Sequence, residues 1–196
     1  MIEEMIAFII GFIIVIFLIG KLLPQLRYPV ATVKASDGQS YVVRDLGDKT
    51  QAANNLAKIR SECFRLRDVV VQLYPDDARS IRLKKNLTPE RTLFTESTPD
   101  SQFTSHTKDK GAAIVFCLRQ RNEKEELVDM NTMMFVAIHE MGHVASETVG
   151  HNDEFWGNFK WLLEIATQKG FYKPVNYKDD PQEYCGMMIT DNPAMD

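Results

Sequence analysis

The stretch "HEMGHVASETVGH", His139 to His151, holds three of the four histidines of the 196-residue chain. From Asn131 to Thr148 there is no proline and a single interior glycine, Gly142. That pattern predicts a helix, with Asp129 or Asn131 to cap its start and Gly150 to suit its end. A helix turns about 100° per residue, so His139 and His143, four apart, stand one above the other about 40° apart. Glu140 lies beside that face. Met134, Ile138, Met141 and Ala145 gather on the other side, giving the helix an apolar back and a face with two imidazoles.

Two histidines at i and i+4 with a glutamate after the first form an H-E-x-x-H arrangement. Catalytic zinc takes three protein ligands and leaves a fourth position open. On such a metal the pKa of a water falls towards ~7, and the glutamate is placed to take its proton as general base. The third ligand must come from beyond the helix. His151 follows Gly150, whose freedom at positive φ allows the chain to turn back. Glu147, Asp153 and Glu154 are the competing oxygen ligands. A second helix starts after Asn152, with Phe155, Phe159, Leu162, Leu163 and Ala166 on one face and Gly170 past its end. His106, the fourth histidine, lies in a polar stretch and reads as exposed.

The first 27 residues are a segment apart. From Met5 to Gly20 there is no charge, and Leu22 and Leu23 follow Lys21. Nineteen residues, Met5 to Leu23, roughly match the ~30 Å hydrocarbon core of a bilayer at about 1.5 Å per residue. Lys21 could snorkel to the headgroups. Glu3 and Glu4 precede the segment and no small-residue cleavage site follows, which favours an uncleaved anchor over a signal peptide. Lys21 and Arg27 follow it with no basic residue before, which puts the N-terminus outside and the remainder in the cytoplasm.

Further along, "VATVKASDGQSYVVRDL" carries two β-rich runs around Asp37-Gly38, a hairpin signal. Leu56, Ile59, Cys63, Leu66, Val70 and Leu73 form one helical stripe, closed by Pro75. Residues 88–110 are rich in Ser, Thr, Asp and Lys and read as a long surface loop, with a short helix starting at Thr88-Pro89-Glu90. "GAAIVFCLR" (111–119) reads as a buried strand. Three cysteines, Cys63, Cys117 and Cys185, are too few and too scattered for a disulfide framework, and fit a reducing compartment. The net charge of −4 gives no global attraction to nucleic acid.

The segment 113–156, "AIVFCLRQRNEKEELVDMNTMMFVAIHEMGHVASETVGHNDEFW", resembles the WLM and SprT-like minimal zinc metallopeptidases of the zincin fold. A strand ending in Leu-Arg, a charged turn, the HExxH helix and then His-x-x-x-Phe recur there in that order. The resemblance implies His139, His143 and His151 as zinc ligands, Glu140 as base and Phe155 as the aromatic after the third ligand. The seven residues "VASETVG" before His151 make a longer spacer than the WLM pattern has. Members of that group often carry nucleic-acid or ubiquitin-type binding regions and act on protein–DNA crosslinks; no such appendage is expected here. The anchored plan is also similar to that of peptidases of large DNA viruses, so a viral membrane is one expected location.

These readings combine into an α+β protein. Residues 1–24 form a transmembrane anchor, 25–50 a linker carrying the hairpin, and 51–196 a zincin-like domain whose HExxH helix is packed by a small sheet and further helices. The expected activity is zinc-dependent hydrolysis of protein or peptide bonds at the bilayer to which residues 5–23 tether the chain. The strand at Ala113–Leu118 is expected to be the edge on which substrate adds. Tyr172, Tyr177 and Tyr184 are candidates for steadying an oxyanion. Two rivals are a membrane-bound scaffold with a structural zinc site, which would not need Glu140, and a DNA–protein crosslink peptidase, against which the acidic balance argues.

Overall fold

A computed structural model describes residues 2–195, apart from the side chains of residues 2–4, 7 and 21–26. In helix α1 (Ile2–Arg27) the side chains described from Met5 to Gly20 include no polar one, and Phe8, Phe12, Ile13, Ile16 and Phe17 are all exposed. Among the described residues no helix is long and apolar enough to cross a membrane. The anchor expected over Met5–Leu23 therefore does not follow from the structure. The side chains of Glu3, Glu4, Lys21, Leu22 and Leu23, on which part of that expectation rests, lie outside the described set.

Strands β1 (Val30–Lys34) and β2 (Ser40–Arg44) form the expected hairpin. Its turn is closed by Ala35 N–H donating to Gln39 O, and Gly38 takes the positive φ of +81° that a side chain would resist. The hairpin is not isolated in a linker. Tyr41 and Val43 are buried, and β2 runs parallel to β3 (Leu93–Glu96). β3 in turn pairs in parallel with β5 (Ala113–Phe116), and β4 (His106–Lys108) adds antiparallel to β5. The sheet order is β1-β2-β3-β5-β4.

That order corrects two expectations. The strand at Ala113–Leu118 is interior, and β4 is the edge. The polar stretch 88–110 is not one loop, since it contains both β3 and β4. His106-Thr107-Lys108 carries no apolar alternation, so its strand character comes from pairing with β5 rather than from local pattern. At Thr88-Pro89-Glu90 the chain turns, with Arg91 and Thr92 N–H donating to Thr88 O, and no helix starts there. The helix of this region lies earlier, as α3 (Ala78–Asn86), capped by Asp77 accepting from Arg79 N–H.

Helix α2 (Lys49–Leu73) buries the stripe Leu56, Ile59, Cys63, Leu66 and Val70 against the sheet and α4. Leu73, at its end, is exposed. Its N-cap residue Asp48 makes no capping bond and instead accepts from Arg119 Nη1 at 2.6 Å. Arg119 also donates through Nε to Glu96 Oε1 at 2.9 Å, and Glu96 Oε2 accepts the Arg44 backbone N–H at 2.7 Å. Glu96 is buried, and loss of solvent raises its pKa despite these donors.

Helix α4 (Met130–Ala145) is the predicted histidine helix, capped by Asp129, which accepts from Asn131 and Thr132 N–H. It is buried almost all round, packed by α2, α3, β4 and α5 (Asp153–Gln168), so its apolar back is only part of its core face. Asn152 caps α5 as expected, accepting from Phe155 N–H at 3.1 Å. Gly142 matters here. A Cβ on it would meet Phe155 Cε2 at 3.2 Å and Phe159 Cβ at 3.4 Å, so the missing side chain lets α5 lie close.

The tail is integral to the core. Tyr172 and Tyr177 are buried around Phe135, with ring centroids 5.8 and 4.9 Å away. Strands β6 (Gln182–Tyr184) and β7 (Met187–Ile189) form a second hairpin. A disulfide joins Cys117, just past β5, to Cys185 in its turn. This corrects the expectation of free cysteines in a reducing compartment: 68 residues separate the pair in sequence, and only the packing of the tail brings them together. Cys63 is free and buried.

Candidate metal centre

His139 and His143 project from the last two turns of α4. The chain then leaves the helix through Ser146, turns at Gly150 with φ +92°, and presents His151 just before α5. One ring nitrogen from each of the three histidines lies within 4.8 Å of the others, and Nε2 of His139 and His151 are 3.0 Å apart. Glu147, Asp153 and Glu154, the competing ligands, are not part of this cluster. Glu154 is used otherwise. Its carboxylate accepts from Glu147 N–H, Thr148 N–H and Thr148 Oγ1, and these bonds, the hydroxyl's first, hold its pKa down to about 2.

The loop carrying His151 is fastened from several sides. Lys110 Nζ donates to the carbonyls of Ser146 (3.0 Å) and Thr148. Arg82 Nε donates to Ala145 O at 2.5 Å, and Asn158 Nδ2 donates to Ser146 Oγ at 2.9 Å. Beneath the histidines lies the buried Phe155 ring, with centroids 4.7 Å from His139, 4.2 Å from His143 and 4.7 Å from His151. The Phe155 expected from the His-x-x-x-Phe spacing is thus the apolar floor of the cluster.

Burial, together with the neighbouring imidazoles, lowers the pKa of His139 to about 3 and that of His143 to about 4. Both rings are therefore neutral, with lone pairs available, at any pH near 7. Three imidazole nitrogens with no thiolate among them form a donor set that suits zinc. The residues present fit a metal.

Glu140 is 2 % exposed and faces β4. Its Oε2 accepts from Thr107 Oγ1 at 2.8 Å. Loss of solvent raises its pKa to about 7, and the Thr107 bond opposes that rise. A carboxylate poised near neutrality is suited to taking up and releasing a proton. Thr107 was invisible in the sequence, because it acts across 33 residues through the β4–α4 contact.

A cleft of about 500 Å3 opens over these groups, lined by His139, Glu140, His143 and His151, by His106 and Lys110 near β4, and by the exposed Phe103 and Val149. His106 is half-buried rather than exposed. The three tail tyrosines do not line the cleft. Tyr184 is buried with its hydroxyl 2.5 Å from Ser105 Oγ, so it braces the rim from behind.

No family model matches the chain. Among solved structures it is similar to Wss1 from Saccharomyces cerevisiae, with a TM-score of 0.45 and 19% identity over 65% of this chain and 89% of that one. Two shorter sequence matches are protein 042R of Invertebrate iridescent virus 3, 36% identical over 42% of this chain and 50% of that protein, and protein 136R of Invertebrate iridescent virus 6, 32% identical over 37% and 40%. The match to protein R325 of Acanthamoeba polyphaga mimivirus is of another order, at 32% identity over 191 residues, 95% of this chain and 94% of the viral one. A match of that depth over nearly the whole of both sequences shows common descent, and the chain belongs to the family of mimivirus protein R325.

Proposed function

We propose that the protein is a zinc-dependent metallopeptidase anchored in a membrane by its N-terminal helix. The observation that carries this reading is the convergence of His139, His143 and His151 beside the buried Glu140 in one cleft. The three imidazoles would hold the metal, which when bound supplies Lewis acidity towards a carbonyl and a water that is nucleophilic near pH 7. Glu140 would serve as the base, its carboxylate taking up a proton during attack and passing it to the leaving amine. Thr107 fixes the carboxylate, and Phe155 excludes water from below. A scaffold with a structural site would have no use for a buried, hydrogen-bonded Glu140.

The substrate is an extended polypeptide. β4 pairs with β5 on one side, and no strand pairs with its other side among the described residues. Its backbone there can take an added strand beside the histidines, so β4 assumes the role expected of Ala113–Leu118. The anchor rests on the uncharged run Met5–Gly20 and on the exposed apolar side chains described along it. The cysteine argument for a cytoplasmic domain falls with the Cys117–Cys185 bond.

The test compares full-length wild type and Glu140→Gln in detergent, measuring zinc content and cleavage of an unfolded protein. Both forms should bind one zinc, and the variant should lose about 10²–10⁴-fold in rate. Equal cleavage by both forms, or zinc binding without cleavage by either, refutes the peptidase reading. For the anchor, full-length protein should stay with membranes through an alkaline carbonate wash. Its recovery in the wash refutes tethering.

A further inference from the structure

Two large apolar side chains stand exposed on the walls of the cleft over the histidines. Phe103, 55% exposed, comes from the segment before β4, and Val149, 86% exposed, from the loop that carries His151. Neither sits on a loose chain. Arg121 Nη2 donates to the carbonyls of Ser101 (3.3 Å) and Phe103 (2.9 Å), and the Phe103 ring packs on His106 with 5.4 Å between centroids. Thr148, just before Val149, accepts from Lys110 Nζ at its carbonyl and gives its N–H to Glu154. Gly150, just after Val149, holds the turn at φ +92°. A third exposed apolar ring, Trp156, lies 6.0 Å from His151 between centroids. Single exposed apolar residues are ordinary on a protein surface, but several grouped at one cleft mark a place where apolar surface is covered.

The charged groups of the cleft are poorly placed to read a charged ligand. Lys110 is the one lysine or arginine among the described lining residues, and its bonds to the carbonyls of Ser146 and Thr148 turn it into the ligand loop. Glu140 is buried and bonded to Thr107. His106 is neutral near pH 7, since burial, and then Lys108, lower its pKa. Asp109 also lines the cleft, and its exposed carboxylate repels an acidic side chain or a phosphate.

We propose that Phe103 and Val149 select the substrate of this site, a polypeptide segment with bulky apolar side chains beside the scissile bond. The proposal rests on the peptidase reading of the cleft. Successive side chains of an extended strand point to opposite faces, so a segment laid beside the free edge of β4 offers apolar groups to both walls. Both walls are fastened before substrate arrives, so little ordering opposes binding. Folded proteins bury such segments, which makes the substrate an unfolded chain.

The experiment uses labelled peptides of equal length whose central pair is Leu-Phe, Ser-Thr, Glu-Glu or Lys-Lys. Binding is read by fluorescence anisotropy on full-length, zinc-loaded Glu140→Gln protein in detergent, and cleavage on wild type. Adding Phe103→Ser and Val149→Ser together, in the same detergent, controls for partition of the peptides into micelles. The Leu-Phe peptide should bind about 10-fold tighter than the others, and each serine substitution alone should weaken it about 10-fold. Thermal midpoints should not change, because both side chains are exposed. In the cleavage assay the substitutions should act on KM far more than on kcat. Equal affinity for all four peptides, or a preference that survives both substitutions, would overturn the proposal. So would tighter binding of the Glu-Glu or Lys-Lys peptide. Glu140-dependent cleavage of all four alike overturns the selection and leaves the peptidase reading standing. Selective binding with no cleavage by wild type overturns the peptidase reading and upholds selection by Phe103 and Val149.

Discussion

The ring of Phe155 stacks on that of His143, with centroids 4.2 Å apart and planes inclined by 24°. The same phenyl group touches His139 and His151, so one core side chain sets the height of all three imidazoles. Phe155→Ala should cost about 3–5 kcal/mol of stability through the cavity it leaves. It should also weaken zinc binding about 10–100-fold, the range for groups that orient metal ligands. Chelator competition and denaturant unfolding check the two effects separately. Unchanged zinc affinity in a destabilised variant would show that the rings hold their places without this floor.

Thr107→Val removes the hydroxyl that favours the charged form of Glu140. The carboxyl pKa should rise further, so the base is protonated over a wider range. The acidic limb of the pH–rate profile should move to higher pH, and the rate at neutral pH should fall. Zinc content should stay at one per chain. A limb that stays put, or moves down, would mean that Thr107 does not govern Glu140.

Without metal, acid should destabilise the fold through the histidines. In the unfolded chain each titrates near 6.5, whereas in the fold His139 and His143 stay neutral to about 3 and 4. Below pH ~6.5 the unfolded state therefore binds more protons, and stability falls with pH until the folded groups themselves protonate. Thermal midpoints in chelator should drop between pH 6.5 and 4, and His139→Gln should flatten that slope. A slope as steep in the variant would place the acid sensitivity elsewhere.

The Cys117–Cys185 bond closes a long loop, with 68 residues of sequence separation between its ends. Cys185→Ser should lower stability by about 2–4 kcal/mol, measured by denaturant unfolding under non-reducing conditions. Cys63 should resist alkylation in the native protein, since burial pushes its pKa up to about 12. Full labelling of Cys117 and Cys185 in native, unreduced protein would refute the pairing.

The sequence alone determined the histidine helix, its i, i+4 pair and a cap at Asp129, one of two candidates, because these are local features of 3.6-residue geometry. The expected end at Gly150 was overturned, since α4 stops at Ala145 with Ser146 as its C-cap. The sequence offered His151 past Gly150 beside Glu147, Asp153 and Glu154, and the fold gathered only His151 with the two helix histidines; the α2 stripe was legible up to Val70. The tertiary structure decided what long-range packing controls. β4 became an edge strand only by pairing with β5, since its own residues carry no strand pattern. Thr107 became a partner of Glu140 only because β4 lies along α4. Cys117 met Cys185 only because the tail folds back on the core.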